Sequence, residues 1–242
     1  MPTRSRASIT VHSLNFSYGA ETPILQDISC SIESGSIAII VGPNGSGKTT
    51  FLKVLLGLIK PTSGSIEVLG LPPSEARPRV GYVPQRFAID HTFPITVFEF
   101  LRFSQPAVPE ARINDYLDHL GMSSMRSARL GALSGGQLQR VLVIRGVLHA
   151  PDILFLDEPA SGIDIGGEQT FYDLILHLHK KHANTIVMVS HEIDVVARFA
   201  DTVLCLNKKL VCHGTPVDVL TPQTLQRLYG KEVAVYQHQE KM

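Results

Sequence analysis

The chain has 242 residues, and its 22 basic and 22 acidic side chains leave a formal net charge of zero. That balance speaks against the broad basic footprint of a protein bound along DNA or RNA, so nucleic acid is not an expected partner. A hydrophobic content of 44% against 18% charged residues is that of a globular protein with a substantial core, and the length is enough for one large domain or two small lobes. No apolar run reaches the length of a bilayer-crossing helix, so a role at a membrane would need another chain to provide the membrane part. Residues 1–8 are basic and polar but no apolar signal core comes after them. The three cysteines, Cys30, Cys205 and Cys212, are dispersed and form no C-x-x-C pair; they read as reduced thiols of a cytoplasmic protein.

In chain order, residues 9–16 alternate apolar and polar side chains, as a half-exposed strand does. Ser17-Tyr18-Gly19-Ala20 breaks the pattern, residues 24–32 give a second strand, and Glu33-Ser34-Gly35 turns into the apolar run 36–41. Next comes Gly42-Pro43-Asn44-Gly45-Ser46-Gly47-Lys48-Thr49, which fits the phosphate-cradling loop G-x-x-x-x-G-K-[ST]. Residues 50–57 read as a helix. A strand, a glycine loop and a helix are the context in which that pattern works. The glycines let successive N–H groups face one concavity, and the helix start adds partial positive charge. Lys48 can then reach the β- and γ-phosphates, and the Thr49 hydroxyl can ligate Mg²⁺.

A turn at Pro61-Thr62-Ser63-Gly64 leads to a short strand at 65–69 and a strand edge at 80–85. From 86 to 150 the character changes to helices at 96–103, 110–120 and 136–149, punctuated by Pro106, Pro109 and Gly121. Strands at 152–157 and 185–190 then alternate with helices at 167–180 and 192–199. Strands at 202–206 and 209–212 come next, with short helices at 216–220 and 222–229. The expectation is a single α/β domain, with a core lobe formed by 1–85 and 151–214, a helical lobe at 86–150 and C-terminal helices and tail at 215–242.

Two further stretches carry chemistry. Asp157 and Glu158 end the run Ile153-Leu154-Phe155-Leu156, which is apolar enough to be buried on both faces. Carboxylates at the end of such a strand lie where parallel sheets bind ligands. Asp157 suits Mg²⁺, held directly or through water, and Glu158 suits the base that polarises an attacking water; a helix-capping pair before Pro159 is the bland alternative. Leu133-Ser134-Gly135-Gly136-Gln137 opens the helix after it and reads either as a plain N-cap by Ser134 or as a second anion site. One nucleotide does not need two such sites from one chain, so the second reading implies two subunits facing head to tail.

Taken together, the loop Gly42 to Thr49 with Thr50, the stretch Leu133 to Gln137 and Leu156-Asp157-Glu158-Pro159 resemble the ATP-binding subunit of an ABC transporter over roughly residues 9–229. The resemblance implies a P-loop NTPase core with a mixed β-sheet, N-terminal antiparallel strands and an inserted α-helical lobe. It implies ATP and Mg²⁺ as ligands, a homodimer, and a peripheral place beside integral-membrane permease subunits at the cytoplasmic face of the inner membrane. Residue by residue, Tyr18 matches the aromatic that stacks on adenine. Gln85 matches the glutamine that contacts Mg²⁺ and the attacking water, His191 the histidine at the γ-phosphate, and Asp164 the aspartate that communicates across the dimer. Ser134, Gly135, Gly136 and Gln137 would serve the partner's ATP.

The loop Ser161-Gly162-Ile163-Asp164 departs from the commoner Ser-Ala-Leu-Asp and, with Gly166-Gly167 after it, is similar to the ATPases of zinc and manganese importers. Tyr82-Val83-Pro84-Gln85-Arg86 with Phe93-Pro94-Ile95-Thr96-Val97, and the segments Leu204 to Asn207 and Cys212 to Pro216, point the same way. An extracellular metal-binding protein is then an indirect partner. The alternatives are the ATPase of an iron-chelate or cobalamin importer and a soluble ABC ATPase outside transport. His177, His179 and His182 stand beside Lys180 and Lys181 and read as a solvated helix end rather than a metal site.

Overall fold

The computed structural model describes residues 7–230 apart from positions 20, 21, 89, 91, 162 and 164. Asp164 and the tail at 231–242 lie outside the described residues. The chain begins with β1 (Ala7–Phe16), β2 (Leu25–Glu33), β3 (Ile37–Val41), α1 (Lys48–Leu55), β4 (Ser63–Val68), α2 (Pro73–Ala76) and β5 (Val80–Val83). Three helices come next: α3 (Val97–Ser104), α4 (Glu110–His119) and α5 (Gly135–Val147). Alternation then resumes through β6 (Ile153–Asp157), α6 (Ile165–His182), β7 (Thr185–Val189) and α7 (Ile193–Phe199). The chain finishes with β8 (Thr202–Asn207), β9 (Lys209–Gly214), α8 (Pro216–Val219) and α9 (Pro222–Tyr229).

The strands form two sheets. β2-β1-β4 is a three-stranded antiparallel sheet, and β5-β6-β7-β3-β8-β9 is a six-stranded sheet in which every pairing is parallel except β8 with β9. The apolar strands predicted around 36–41, 152–157 and 185–190 are three of its four interior strands, and β3, β6 and β7 are buried at every position. Period-two geometry divides their side chains between two cores. Ile37, Ile39, Leu154, Leu156, Ile186 and Met188 join the core that contains α3, α4, α5 and α6. Ala38, Ile40, Ile153, Phe155, Val187 and Val189 join the core shared with α1 and the antiparallel sheet. A helix layer therefore covers one face, and α1 with the second sheet covers the other.

Local chemistry places the helix starts. Thr96 and Glu99 form a reciprocal capping box at the head of α3. The loop before α3 is stitched to residues 128–130, Val97 N–H donating to the Ala128 carbonyl and Leu130 N–H to the Ile95 carbonyl, at 3.0 and 2.9 Å. Arg126 stacks its guanidinium 3.9 Å from the Phe98 ring centre and pairs with Glu110, joining α3 to α4.

Two expectations need correction. α1 starts at Lys48 rather than 50, because Gly47 makes the left-handed turn at φ 98° that aims the next residues straight into helix. Cys205 and Cys212 are not separate thiols. The hairpin register sets them directly opposite across β8 and β9, their Cα atoms 4.8 Å apart, and they are disulfide-bonded. Seven residues of sequence separation conceal that contact until the antiparallel pairing is known. Cys30 remains a free, buried thiol, pushed by burial up to about 12.

α5 sits unusually close to the edge strand β5. A Cβ added to Gly81 would lie 2.2 Å from the Gly146 carbonyl oxygen, and one added to Gly146 would meet Val83 Cγ2 at 3.2 Å. Gly81→Ala must push the helix off the sheet and is expected to cost about 1–3 kcal/mol. A urea unfolding midpoint unchanged from wild type would contradict that close approach.

Candidate active site

Because β5, β6, β7 and β3 run parallel and side by side, their C-terminal ends emerge along one edge of the sheet. β3 hands over to the loop at Gly42, β5 leads to Gln85, β6 ends in Asp157 and Glu158, and β7 leads to His191. Backbone bonds hold the ends in line: Glu158 N–H donates to the Val189 carbonyl at 3.1 Å and Ser190 N–H to the Ile40 carbonyl at 3.2 Å. They surround an open cavity of about 740 Å³, lined by residues 42–50 with Ile24, Gln85, Glu158, His191 and Tyr229.

Lys48 folds back over the loop, its ammonium donating to the Gly42 and Pro43 carbonyls at 2.8 and 3.1 Å. Burial pulls its pKa below the usual lysine value, while Glu158 and then Asp157 pull it back up. The charge is thus held inside the loop rather than lost to solvent. Gly47 caps α1 without a side-chain hydrogen bond, which leaves the first-turn amides to an anion.

On the floor of the cavity Thr49 Oγ1 donates to Asp157 Oδ1 at 3.2 Å. Asp157 is buried, and desolvation raises its pKa. Its bond from Thr49 opposes that rise, the Glu158 charge adds to it, and Lys53 and Lys48 oppose it. Two hard oxygen donors this close suit a small divalent cation. Glu158 stands at the cavity mouth with φ 44°, a left-handed backbone uncommon for a residue with a side chain. Gln85 Nε2 donates to its Oε2 at 2.6 Å, and His191 Nδ1 lies 3.8 Å from the same oxygen. With its amide nitrogen on Glu158, Gln85 has its carbonyl oxygen left to offer a metal.

Five expected nucleotide residues, Tyr18 and Ser134, Gly135, Gly136 and Gln137, are not among those lining this cavity. Tyr18 stands on the outer end of β1's connection, 54% exposed, with its ring edge-on to Phe16 at 4.7 Å. Ser134 caps α5 in a reciprocal box with Gln137 at 3.3 and 2.9 Å, and Ser134, Gly136 and Gln137 line a separate hollow with Arg140 and Phe171. The cap and the anion-site readings coexist there, since capping uses the Gln137 amide and leaves those before it. His179 and His182 also lie elsewhere, bonded to the Asn184 carbonyl at 2.8 Å and to the Tyr116 hydroxyl at 3.0 Å. Ile24 and Tyr229 join the cavity without a signal in the sequence. Ile24 precedes β2 and has the pattern of ordinary strand; Tyr229 ends a helix far along the chain from the loop, and no local pattern marks it.

Residues 25–161 match the family model described as ABC transporter. The zinc import ATP-binding protein ZnuC of Yersinia enterocolitica is 39% identical over 234 residues, covering 95% of this chain and 90% of that protein. ZnuC of Saccharophagus degradans is 38% identical over 237 residues, covering 95% and 89%. The solved structure of cbiO1 from Clostridium perfringens, part of the ABC transporter complex cbiONQ, superposes with a TM-score of 0.79 at 27% identity, covering 91% of this chain and 93% of that one.

A buried carboxylate with a raised pKa makes the folded protein less stable once it ionises. That penalty is absent below the unfolded-state value near 3.8 and complete above the raised folded-state value. Asp157→Asn keeps an oxygen for Thr49 and removes the charge. The ligand-free variant is expected to melt at a higher temperature than wild type at pH 7, with the gain shrinking as pH falls toward 4. A variant that melts at or below the wild-type temperature at pH 7 would show that burying the charge carries no penalty.

Proposed function

The chain belongs to the ABC transporter family, and from that premise we propose that it is the ATP-hydrolysing engine of a metal-ion importer, with zinc as the cargo. The observation that carries the catalytic half is the single cavity in which Lys48, Thr49 and the Gln85–Glu158–His191 group converge, with Asp157 bonded to Thr49 behind its wall. Zinc import is supported by the ZnuC relatives, which align along almost the whole chain.

The loop amides of residues 44–49 and the Lys48 ammonium bind the phosphates and neutralise their charge. Thr49, Asp157 and the Gln85 carbonyl oxygen would hold Mg²⁺, which supplies charge neutralisation at the β- and γ-phosphates. Glu158 accepts a hydrogen bond from the attacking water and draws off its proton. Gln85 orients that carboxylate, and His191 beside it reaches toward the terminal phosphate. Tyr18, half-exposed and held on Phe16, offers a ring face for adenine.

A second copy would complete the site with its own Ser134, Gly135, Gly136 and Gln137; Ser134, Gly136 and Gln137 line a different hollow from the loop of the same chain. The γ-phosphate then binds the closed pair more tightly than the open one, and its hydrolysis releases that difference. Residues 86–150 act as a helical lobe that transmits the motion. Within it Phe93 is 58% and Phe103 70% exposed, large apolar side chains available to a membrane permease. Among the described residues no helix is long and apolar enough to cross a membrane, so the pathway for the metal belongs to that permease. In this reading the ATPase sits peripherally at the cytoplasmic face of the inner membrane. An extracellular metal-binding protein feeds the permease from the other side.

Glu158→Gln is expected to bind ATP as wild type, to lose roughly 99% of turnover or more and to accumulate as a dimer when ATP and Mg²⁺ are present. Light scattering on the size-exclusion peak and a phosphate-release assay measure both, and wild-type turnover would remove Glu158 from the base role. Co-expression with its permease should give ATP-dependent uptake of radioactive zinc that Phe103→Asp reduces. Uptake of iron chelate or cobalamin in place of zinc would reassign the cargo.

A further inference from the structure

Three segments meet behind the first glycine of the phosphate loop. The turn between β8 and β9 is one: the Lys208 N–H donates to the Ser46 carbonyl at 2.9 Å, and the Lys208 carbonyl accepts from the Gln26 N–H of β2 at 2.7 Å. The same turn holds α9, since Asn207 Nδ2 donates to the Leu228 carbonyl at 3.3 Å. Gly42 fits this junction only because it has no side chain. A Cβ there would lie 2.0 Å from the Leu206 carbonyl oxygen and 2.8 Å from Ser46 Oγ. From the other side α9 brings in Tyr229, which lines the nucleotide cavity together with Gly42.

Two hydroxyls at the junction are unsatisfied. Tyr229 Oη and Ser46 Oγ are both buried without a hydrogen-bond partner in this structure. A desolvated hydroxyl left unpaired costs as much as a lost hydrogen bond, and both of these stand around one glycine of the loop. Tyr229 and Gly42 line the same cavity; burial raises the Tyr229 pKa, and the Gly42 backbone N–H opposes that rise. The two groups form no hydrogen bond with each other in this structure. A tyrosine serving only as packing would need its ring and not a buried hydroxyl aimed at the loop; the apolar anchoring of α9 is already supplied by Leu225 and Leu228.

We propose that Tyr229 is a positioning residue for the phosphate loop: when the loop closes on a triphosphate, the Gly42 N–H comes into bonding distance of Tyr229 Oη, and the C-terminal helix becomes part of the nucleotide site. The proposal rests on the reading of the cavity as an ATP site. It makes α9 a lever on nucleotide affinity, because whatever displaces α9 withdraws the acceptor from Gly42.

Tyr229→Phe keeps the ring and removes the hydroxyl. In the full-length protein, titrated with a fluorescent ATP analogue, Kd is expected to rise about three- to tenfold, the worth of one hydrogen bond. The ATPase KM should rise by the same factor while kcat stays within about twofold, and the nucleotide-free melting temperature should not fall. Wild-type Kd and KM in this variant would overturn the proposal. So would weaker binding that comes with a lowered nucleotide-free melting temperature, because the hydroxyl would then serve the fold and not the loop. Lys48→Ala in the same titration separates the two levels. If it loses the analogue while Tyr229→Phe binds normally, only the role of Tyr229 fails; if it binds normally, the ATP reading fails and the proposal fails with it.

Discussion

The constraint on which the molecule depends is the parallel register of four neighbouring strands. β5, β6, β7 and β3 are hydrogen-bonded in that order, with Val83 opposite Leu156, Asp157 opposite Val189 and Ile40 opposite the same Val189. Parallel pairing is what brings Gly42, Gln85, Asp157, Glu158 and His191 to one edge, although they are scattered over more than half of the sequence. A slip of one residue would exchange the two faces of a strand and send its apolar side chains to the wrong core. The division of Ile37, Ile39 and Val41 from Ala38 and Ile40 between two separate cores opposes that slip.

The edge built in this way carries features that do not favour folding. Lys48 is buried with its pKa lowered, Asp157 is buried with its pKa raised, and Glu158 sits in a left-handed conformation. Each is tolerated because the strands beneath are closed on both faces by apolar contacts. The opposing signs of the two pKa shifts have a common origin in desolvation. In the proposed function a triphosphate with its cation would supply the missing countercharges for both groups at once, an anion beside Lys48 and a cation beside Asp157.

The site is also distributed. The signature at Ser134 to Gln137 is well formed as a helix cap and yet turned into its own hollow. Tyr18 stands apart from the cavity. Tyr229, from the far end of the described chain, stands inside it. Strand ends supply the groups that do chemistry, while the helical segment and the C-terminal helix supply surfaces through which other bodies could influence them. Backbone bonds from Lys208 to Ser46 and to β2 tie the hairpin, the antiparallel sheet and the loop into one unit.

Much of this is legible in the sequence because it depends on local chemistry. The loop Gly42 to Thr49 declares itself through backbone angles that glycine permits and a lysine at fixed reach. The interior strands declare themselves because burial on both faces admits only apolar residues. The starts of α3 and α5 come from Thr96 with Glu99 and Ser134 with Gln137, and Asp157 and Glu158 are visible as charges ending an apolar run. Other features are not legible, because they are contacts between segments distant in sequence. The pairing of Cys205 with Cys212 depends on hairpin register, the closeness of Gly81 to Gly146 on how a helix lies on a sheet edge, and the place of Tyr229 on where α9 comes to rest. Sequence by itself determined which residues could bind a phosphate, because that ability resides in a few consecutive backbone and side-chain groups. Only the tertiary structure decided which distant residues share the cavity with them, because strand order and packing, not chain proximity, set those distances.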